Sequence, residues 1–134
     1  MKVLGAGAAY WAVVFALGFV LGTIRVLWLA PLVGLVPATL IELPVMLAAS
    51  WIASGWLMQR FAITGQGAAL AMGGLAFGLL MAAECGLAAA LSGETPAQWL
   101  AGLRQPHALL GLAGQAAFAL MPWWRAHRDD TARA

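Results

Sequence analysis

Residues 67–91 read GAALAMGGLAFGLLMAAECGLAAAL, a run in which only Glu84 carries a charge. About 20 mostly apolar residues are what an α-helix needs to cross the roughly 30 Å hydrocarbon core of a bilayer. The run predicts a membrane-spanning helix, and three further stretches read the same way. One runs from about Val3 to Leu29, interrupted only by Arg25. Another runs from about Ala38 to Met58, with Glu42 near its start. The last and shortest runs from about Ala108 to Trp124. The expected fold is all-α: a polytopic four-transmembrane-helix bundle forming a single transmembrane domain over residues 1–134. Its spans are about 3–29, 38–58, 67–91 and 108–124, followed by a cytoplasmic tail at 125–134.

Composition agrees. Hydrophobic residues make up 63% of the 134 and charged residues 9%, at a mean hydropathy of +0.89. A soluble domain of ordinary composition carries about 25% charge. A chain this short and apolar cannot cover its own surface with polar groups, which argues against a secreted enzyme, a disordered segment or a disulfide scaffold. Net charge is only +2, and the basic residues are scattered singly until the tail, so no stripe addresses a nucleic acid. Cys85, the one cysteine, has no partner for a disulfide or a ligand cluster. The apolar run after Lys2 is too long for a signal peptide and reads as an uncleaved first span.

With four spans, both termini share a side with the loop between spans two and three. That side holds Lys2, Arg60, Arg125, Arg128 and Arg133; the other holds Arg104, with Arg25 near the end of its helix. The bias of Lys and Arg toward the cytoplasm then places both termini inside. Trp56, Trp123 and Trp124 fall at the inner interface and Trp28 and Trp99 at the outer one, where amphipathic indoles favour that depth. Trp51 is expected well inside the membrane, its N–H in need of a partner. Thr95-Pro96-Ala97-Gln98 is a capping-box pattern with proline at the first helical position. It predicts a short interfacial helix at about 96–104, between helices 3 and 4, acting as a spacer or as a lid. Of the prolines, only Pro44 is expected clearly inside a span.

Inside a bilayer, small residues that let backbones approach drive helix association. Gly18 and Gly22 form such a pair in the first span. Gly74, Gly78, Ala82, Gly86 and Ala90 form a ladder at every fourth position of the third. These surfaces can serve the four helices or a second copy of the chain.

A charge at membrane depth is costly, and such residues usually face the protein interior and pair. Arg25, Glu42 and Glu84 lie within about one to two turns of the outer boundary, and His107 at the start of the fourth span joins that layer. Four helices thus each contribute one ionisable residue at a similar depth. Arg25 and Glu42 are the expected pair, with groups suited to bidentate contact. Glu84 does not follow the small-residue ladder and is expected at another contact or a cavity. Gln115, mid-membrane, is expected in a helix–helix hydrogen bond. The site residues show no metal spacing, nucleophile elbow or phosphate loop, and no metal, cofactor or catalytic residue is expected.

The run Gly22-Thr23-Ile24-Arg25, Ala30-Pro31, Glu42-Leu43-Pro44-Val45-Met46-Leu47 and Ser50-Trp51 resembles a group of small bacterial membrane proteins over the first two spans. That resemblance implies a bacterial inner membrane and carries no activity. Small multidrug-resistance transporters share the size and helix count but hold a glutamate in the first span, where this chain has Arg25. The polar-track pattern of dual-topology fluoride channels is missing.

The function expected first is a non-enzymatic membrane protein, working as a homo-oligomer or as an accessory subunit of a membrane assembly. Its partners would be the lipid bilayer and itself or another membrane subunit. The alternatives are a minimal proton- or cation-coupled transporter or channel, and an enzyme acting on a lipid or quinone. Dry helix contacts throughout would favour the first, a cavity reaching Glu84 the second, and an apolar groove ending at Arg25 and Glu42 the third.

Overall fold

The computed structural model covers residues 1–134 and is built from helices alone. Helix α1 (Lys2–Ile24) passes through one π turn, Arg25–Leu29, into α2 (Ala30–Val33). Then come α3 (Leu35–Arg60), α4 (Gln66–Ser92), α5 (Pro96–Gly102) and α6 (Pro106–Arg133). The stretch Lys2–Val33, α3 and α4 are long and apolar enough to cross a membrane. Helix α6 has the length but is diluted by His107, Gln115 and two prolines, and its last turns are charged. The four-span expectation therefore narrows to three helices that meet the requirement by themselves.

The ends differ from expectation in instructive ways. Only Gly34 separates α2 from α3, at φ +91°, a conformation that side-chain-bearing residues rarely adopt. The expected loop at 30–37 is thus almost entirely helical. The π turn falls just before Pro31, whose ring crowds the carbonyl four residues back and which has no N–H to offer it. Pro122 lies inside α6 rather than at its end, and the expected tail at 125–134 continues that helix. The short helix expected between helices 3 and 4 forms over 96–102. Its capping box is made in both directions, Gln98 N donating to Thr95 Oγ1 at 3.2 Å and Thr95 N to Gln98 Oε1 at 2.9 Å.

The four long helices form a closed ring in the order α1, α4, α6, α3. Its core sits at one end, where Ala6 and Tyr10 of α1, Leu57 of α3, Met72 and Ala76 of α4 and Phe118 of α6 are buried together. Tyr10 is fully buried; its hydroxyl donates to the Phe118 carbonyl at 2.8 Å and the two rings lie 4.3 Å apart, bridging the diagonal of the ring. Only 21 of 134 residues are buried, and side chains as large as Phe19, Ile52 and Leu91 are exposed. A surface of that kind needs lipid, and with the three apolar helices it marks a membrane protein.

Close approach is made by other glycines than the ladder. A Cβ on Gly73 would run into the Ala119 carbonyl of α6, and one on Gly7 would meet Leu75 and the Met72 carbonyl of α4. Gly55 leaves room for the guanidinium of Arg125, which donates from Nε and Nη2 to the Trp51 carbonyl at 3.0 and 2.7 Å. Its Cζ lies 4.0 Å from the centre of the Trp51 ring, within cation–π range. Trp51 is thus engaged through its carbonyl and ring face. The ladder of Gly74, Gly78, Ala82, Gly86 and Ala90 faces outward, and a Cβ on Gly74, Gly78 or Gly86 would touch nothing. Within one subunit the packed face of α4 is Gly73's, about 100° around the helix from Gly74.

Overpacking a tight helix contact typically costs about 1–3 kcal/mol. Gly73→Ala should therefore destabilise the detergent-solubilised protein by that amount, while Gly78→Ala should leave its thermal unfolding unchanged. Equal losses from the two would place the ladder in a packed interface.

Candidate functional site: a charged cavity between the helices

Beyond Tyr10 and Phe118 the ring opens around a cavity of about 780 Å³. Each long helix lines it at helical spacing. Helix α1 and its π turn supply Val14, Gly18, Gly22 and Arg25, and α3 supplies Thr39, Glu42, Met46 and Ser50. Helix α4 gives Leu80, Glu84, Leu87 and Leu91, and α6 gives His107, Gly111, Gln115 and Phe118. Residues three and four apart share one helix face, so these are single stripes turned inward. Sixteen of the 31 lining residues are hydrophobic, which suits an amphipathic guest better than a bare ion.

The space exists partly because glycines line it. A Cβ on Gly18 would meet only the Met46 methyl group, at 3.3 Å, and one on Gly22 only the Arg25 guanidinium, at 3.7 Å; on Gly111 it would meet nothing. The glycine face of α1 borders the cavity instead of seating another backbone. Small residues permit close approach without enforcing it, and here the helices are tied at the Tyr10 end.

Arg25, Glu42, Glu84 and His107 all line this one cavity. Arg25 Nη1 donates to Glu42 Oε2 at 2.7 Å, with the two side chains 29% and 13% exposed. The expected pair is made, through one N–H rather than two. Arg25 opens the π turn, a helix irregularity that is frequent at functional sites. Glu84 turns into the cavity, and its Oε1 accepts from Gln115 Nε2 of α6, which is the helix–helix bond expected of Gln115. No cation lies within ion-pair distance of Glu84, because the one ion pair in the chain occupies Arg25 with Glu42. Glu94, exposed at the rim, adds a further carboxylate. Arg25 cancels Glu42, so the lining carries an excess of acid.

His107 makes no side-chain hydrogen bond, and no three acidic, histidine or cysteine groups converge closely enough to hold a metal ion. Thr39 was not singled out in the sequence, and Ser50 entered only through the resemblance of the first two spans, not as a site residue. Both are buried on the cavity stripe of α3, the Thr39 hydroxyl donating to the Leu35 carbonyl at 2.8 Å. Their signal was present as polar residues spaced three and eight positions from Glu42 on an apolar helix. From the short α5, Trp99 and Gly102 border the mouth, with Leu103 just after them, where a lid would lie. Comparison with protein families, with curated proteins and with solved structures gives no match.

Breaking a buried ion pair by removing one partner typically costs about 3–5 kcal/mol, less where the survivor reaches a wetter surface. Arg25→Met and Glu42→Gln should each destabilise the protein in detergent unfolding, and Arg25→Met more so, since it strands the less exposed carboxylate. The double variant should lose less than the sum of the two, because neither change then strands a partner. Strict additivity would show that the two side chains act independently.

Proposed function

We propose that the protein is a small four-span carrier of the bacterial inner membrane that binds a lipophilic cation in its cavity and exchanges it for a proton at Glu84. The observation that carries this is a carboxylate inside a mixed polar and apolar cavity with a neutral amide, and no cation, as its partner. An uncompensated carboxylate at membrane depth is costly, so Glu84 takes up a proton or a cationic guest. The two compete for one site, which is the minimal requirement for coupled exchange. About 780 Å³ accommodates a drug-sized molecule. Arg25 and Glu42 hold the mouth of the cavity together, and α5 covers it.

The fourth span would be the apolar part of α6, about 108–124, roughly 26 Å long. That falls slightly short of the hydrocarbon core, but α6 packs between α3 and α4, and Gln115 is satisfied by Glu84. Both termini would be cytoplasmic, with the Tyr10 end inward and the cavity mouth outward. A C-terminal alkaline phosphatase fusion should then be inactive in the periplasm; activity there would overturn the topology.

The binding test uses tetraphenylphosphonium and calorimetry on the detergent-purified protein. Affinity should fall as pH is lowered, because protons compete for Glu84. Glu84→Gln should bind at least about tenfold more weakly, lose the pH dependence, and keep the parent's thermal stability. Absence of binding by the parent, or equal binding by Glu84→Gln, would refute the proposal. A second reading, a homo-oligomer or a subunit of a larger membrane assembly, is favoured by the outward ladder on α4. The Gly73 and Gly78 comparison given with the fold separates it from a lipid-facing ladder.

A further inference from the structure

A second, smaller cavity of about 350 Å³ lies at the packed end, on the outside of the ring between α3 and α6. It is lined by Trp51, Arg125, Arg128, Asp129 and Ala132. It is distinct from the cavity that holds Glu84, since the two share no lining residue. Two guanidinium groups converge there on one indole, Arg125 at 4.0 Å and Arg128 at 5.9 Å from the ring centre. Neither forms an ion pair with Asp129 or any other carboxylate. A guanidinium has five N–H donors. Arg125 directs its Nε and one Nη2 N–H to the Trp51 carbonyl, leaving three, and Arg128 makes no side-chain hydrogen bond at all. Two like charges held side by side with unspent donors favour an anion between them, and planar guanidinium groups match phosphate oxygens.

The surroundings identify the source of that anion. Beside Trp51 and Arg125 in sequence, Ile52 and Trp124 are 68% and 58% exposed, and Trp56, one turn along α3, is 60% exposed. A free phosphate would leave that apolar surface uncovered, whereas acyl chains would cover it. Basic pockets at the ends of membrane helices are where anionic head groups bind. We infer that Trp51, Arg125 and Arg128 form a binding site for the phosphodiester head group of an anionic phospholipid, whose acyl chains run from there toward the bilayer centre past Ile52 and Trp124, with Trp56 beside the head group. Gly55 is part of the construction: its missing side chain lets the Arg125 guanidinium lie against α3 at the edge of the cavity.

The test compares phosphatidylglycerol with phosphatidylcholine of the same chains, bound to the full-length protein and counted by native mass spectrometry from detergent. Phosphatidylglycerol should be retained at least about tenfold more tightly, the worth of one or two charge-assisted hydrogen bonds. Arg128→Gln should remove about that factor while leaving thermal unfolding without lipid nearly unchanged, because the Arg128 side chain makes no hydrogen bond or ion pair and lies only at the far edge of cation–π range of Trp51. Asp129→Asn, which deletes the only opposing charge in the lining, should tighten phosphatidylglycerol several-fold, by about the strength of a near-surface charge pair. Glycerol 3-phosphate, with the same anion and no acyl chains, should fail to displace the lipid. Equal retention of the two lipids, or unchanged retention in both variants, would overturn the site. Displacement by glycerol 3-phosphate at matched concentration would make it a site for a soluble anion and overturn the lipid assignment.

Discussion

A single hydroxyl organises this bundle. Tyr10 is fully buried, and its O–H must be satisfied because an unpaired polar group in apolar surroundings costs about 1–3 kcal/mol. It is satisfied by the Phe118 carbonyl, on the helix diagonally opposite in the ring. That bond and the contact of the two tilted rings draw α1 and α6 together at one level, and the aliphatic core fills the ring on one side of it. On the other side the polar links run between neighbouring helices, Arg25 to Glu42 and Gln115 to Glu84, and the stripes of α1 and α6 include glycines. The packed end and the open cavity are two consequences of one cross-tie.

The open end is polar in a restricted way. Arg25 and Glu42 neutralise one another between consecutive long helices, so their bond also fixes the register of the turn at Gly34. Glu84 and Gln115 join the other two helices, α4 and α6. Each pair of helices thus has its own polar link, one ionic and neutral overall, the other carrying a single unbalanced carboxylate. The chemistry open to the cavity follows from that asymmetry more than from any one residue.

Much of this was legible in the residues. Hydropathy alone located the three helices long and apolar enough to cross a membrane, because about 20 apolar residues in a row have few other uses. The capping box marked α5, and the shared depth of Arg25, Glu42, Glu84 and His107 anticipated their common cavity. Other features were hidden for physical reasons. A small residue reports that a helix can be approached, not from which side, so the α4 ladder and Gly73 were indistinguishable until neighbours were in place. Arg125 reads as a tail residue because its partner Trp51 lies 74 positions away, and only the fold brings a cation to that carbonyl. Tyr10 looked like any aromatic in an apolar run. The π turn at Arg25 left no mark except Pro31 shortly after it.

The turn at Gly34 has a mechanical corollary. One residue joins two long helical stretches there, too little chain for either to slide or swing far against the other, and the Arg25–Glu42 bond braces them just below. At the same end, α4 and α6 are joined by the thirteen residues 93–105, which hold α5 between two short connectors. The bundle is therefore a stiff half and a compliant half. The single-residue turn at Gly34 leaves α1 and α3 less room to part at the mouth of the cavity than the longer connection leaves α4 and α6.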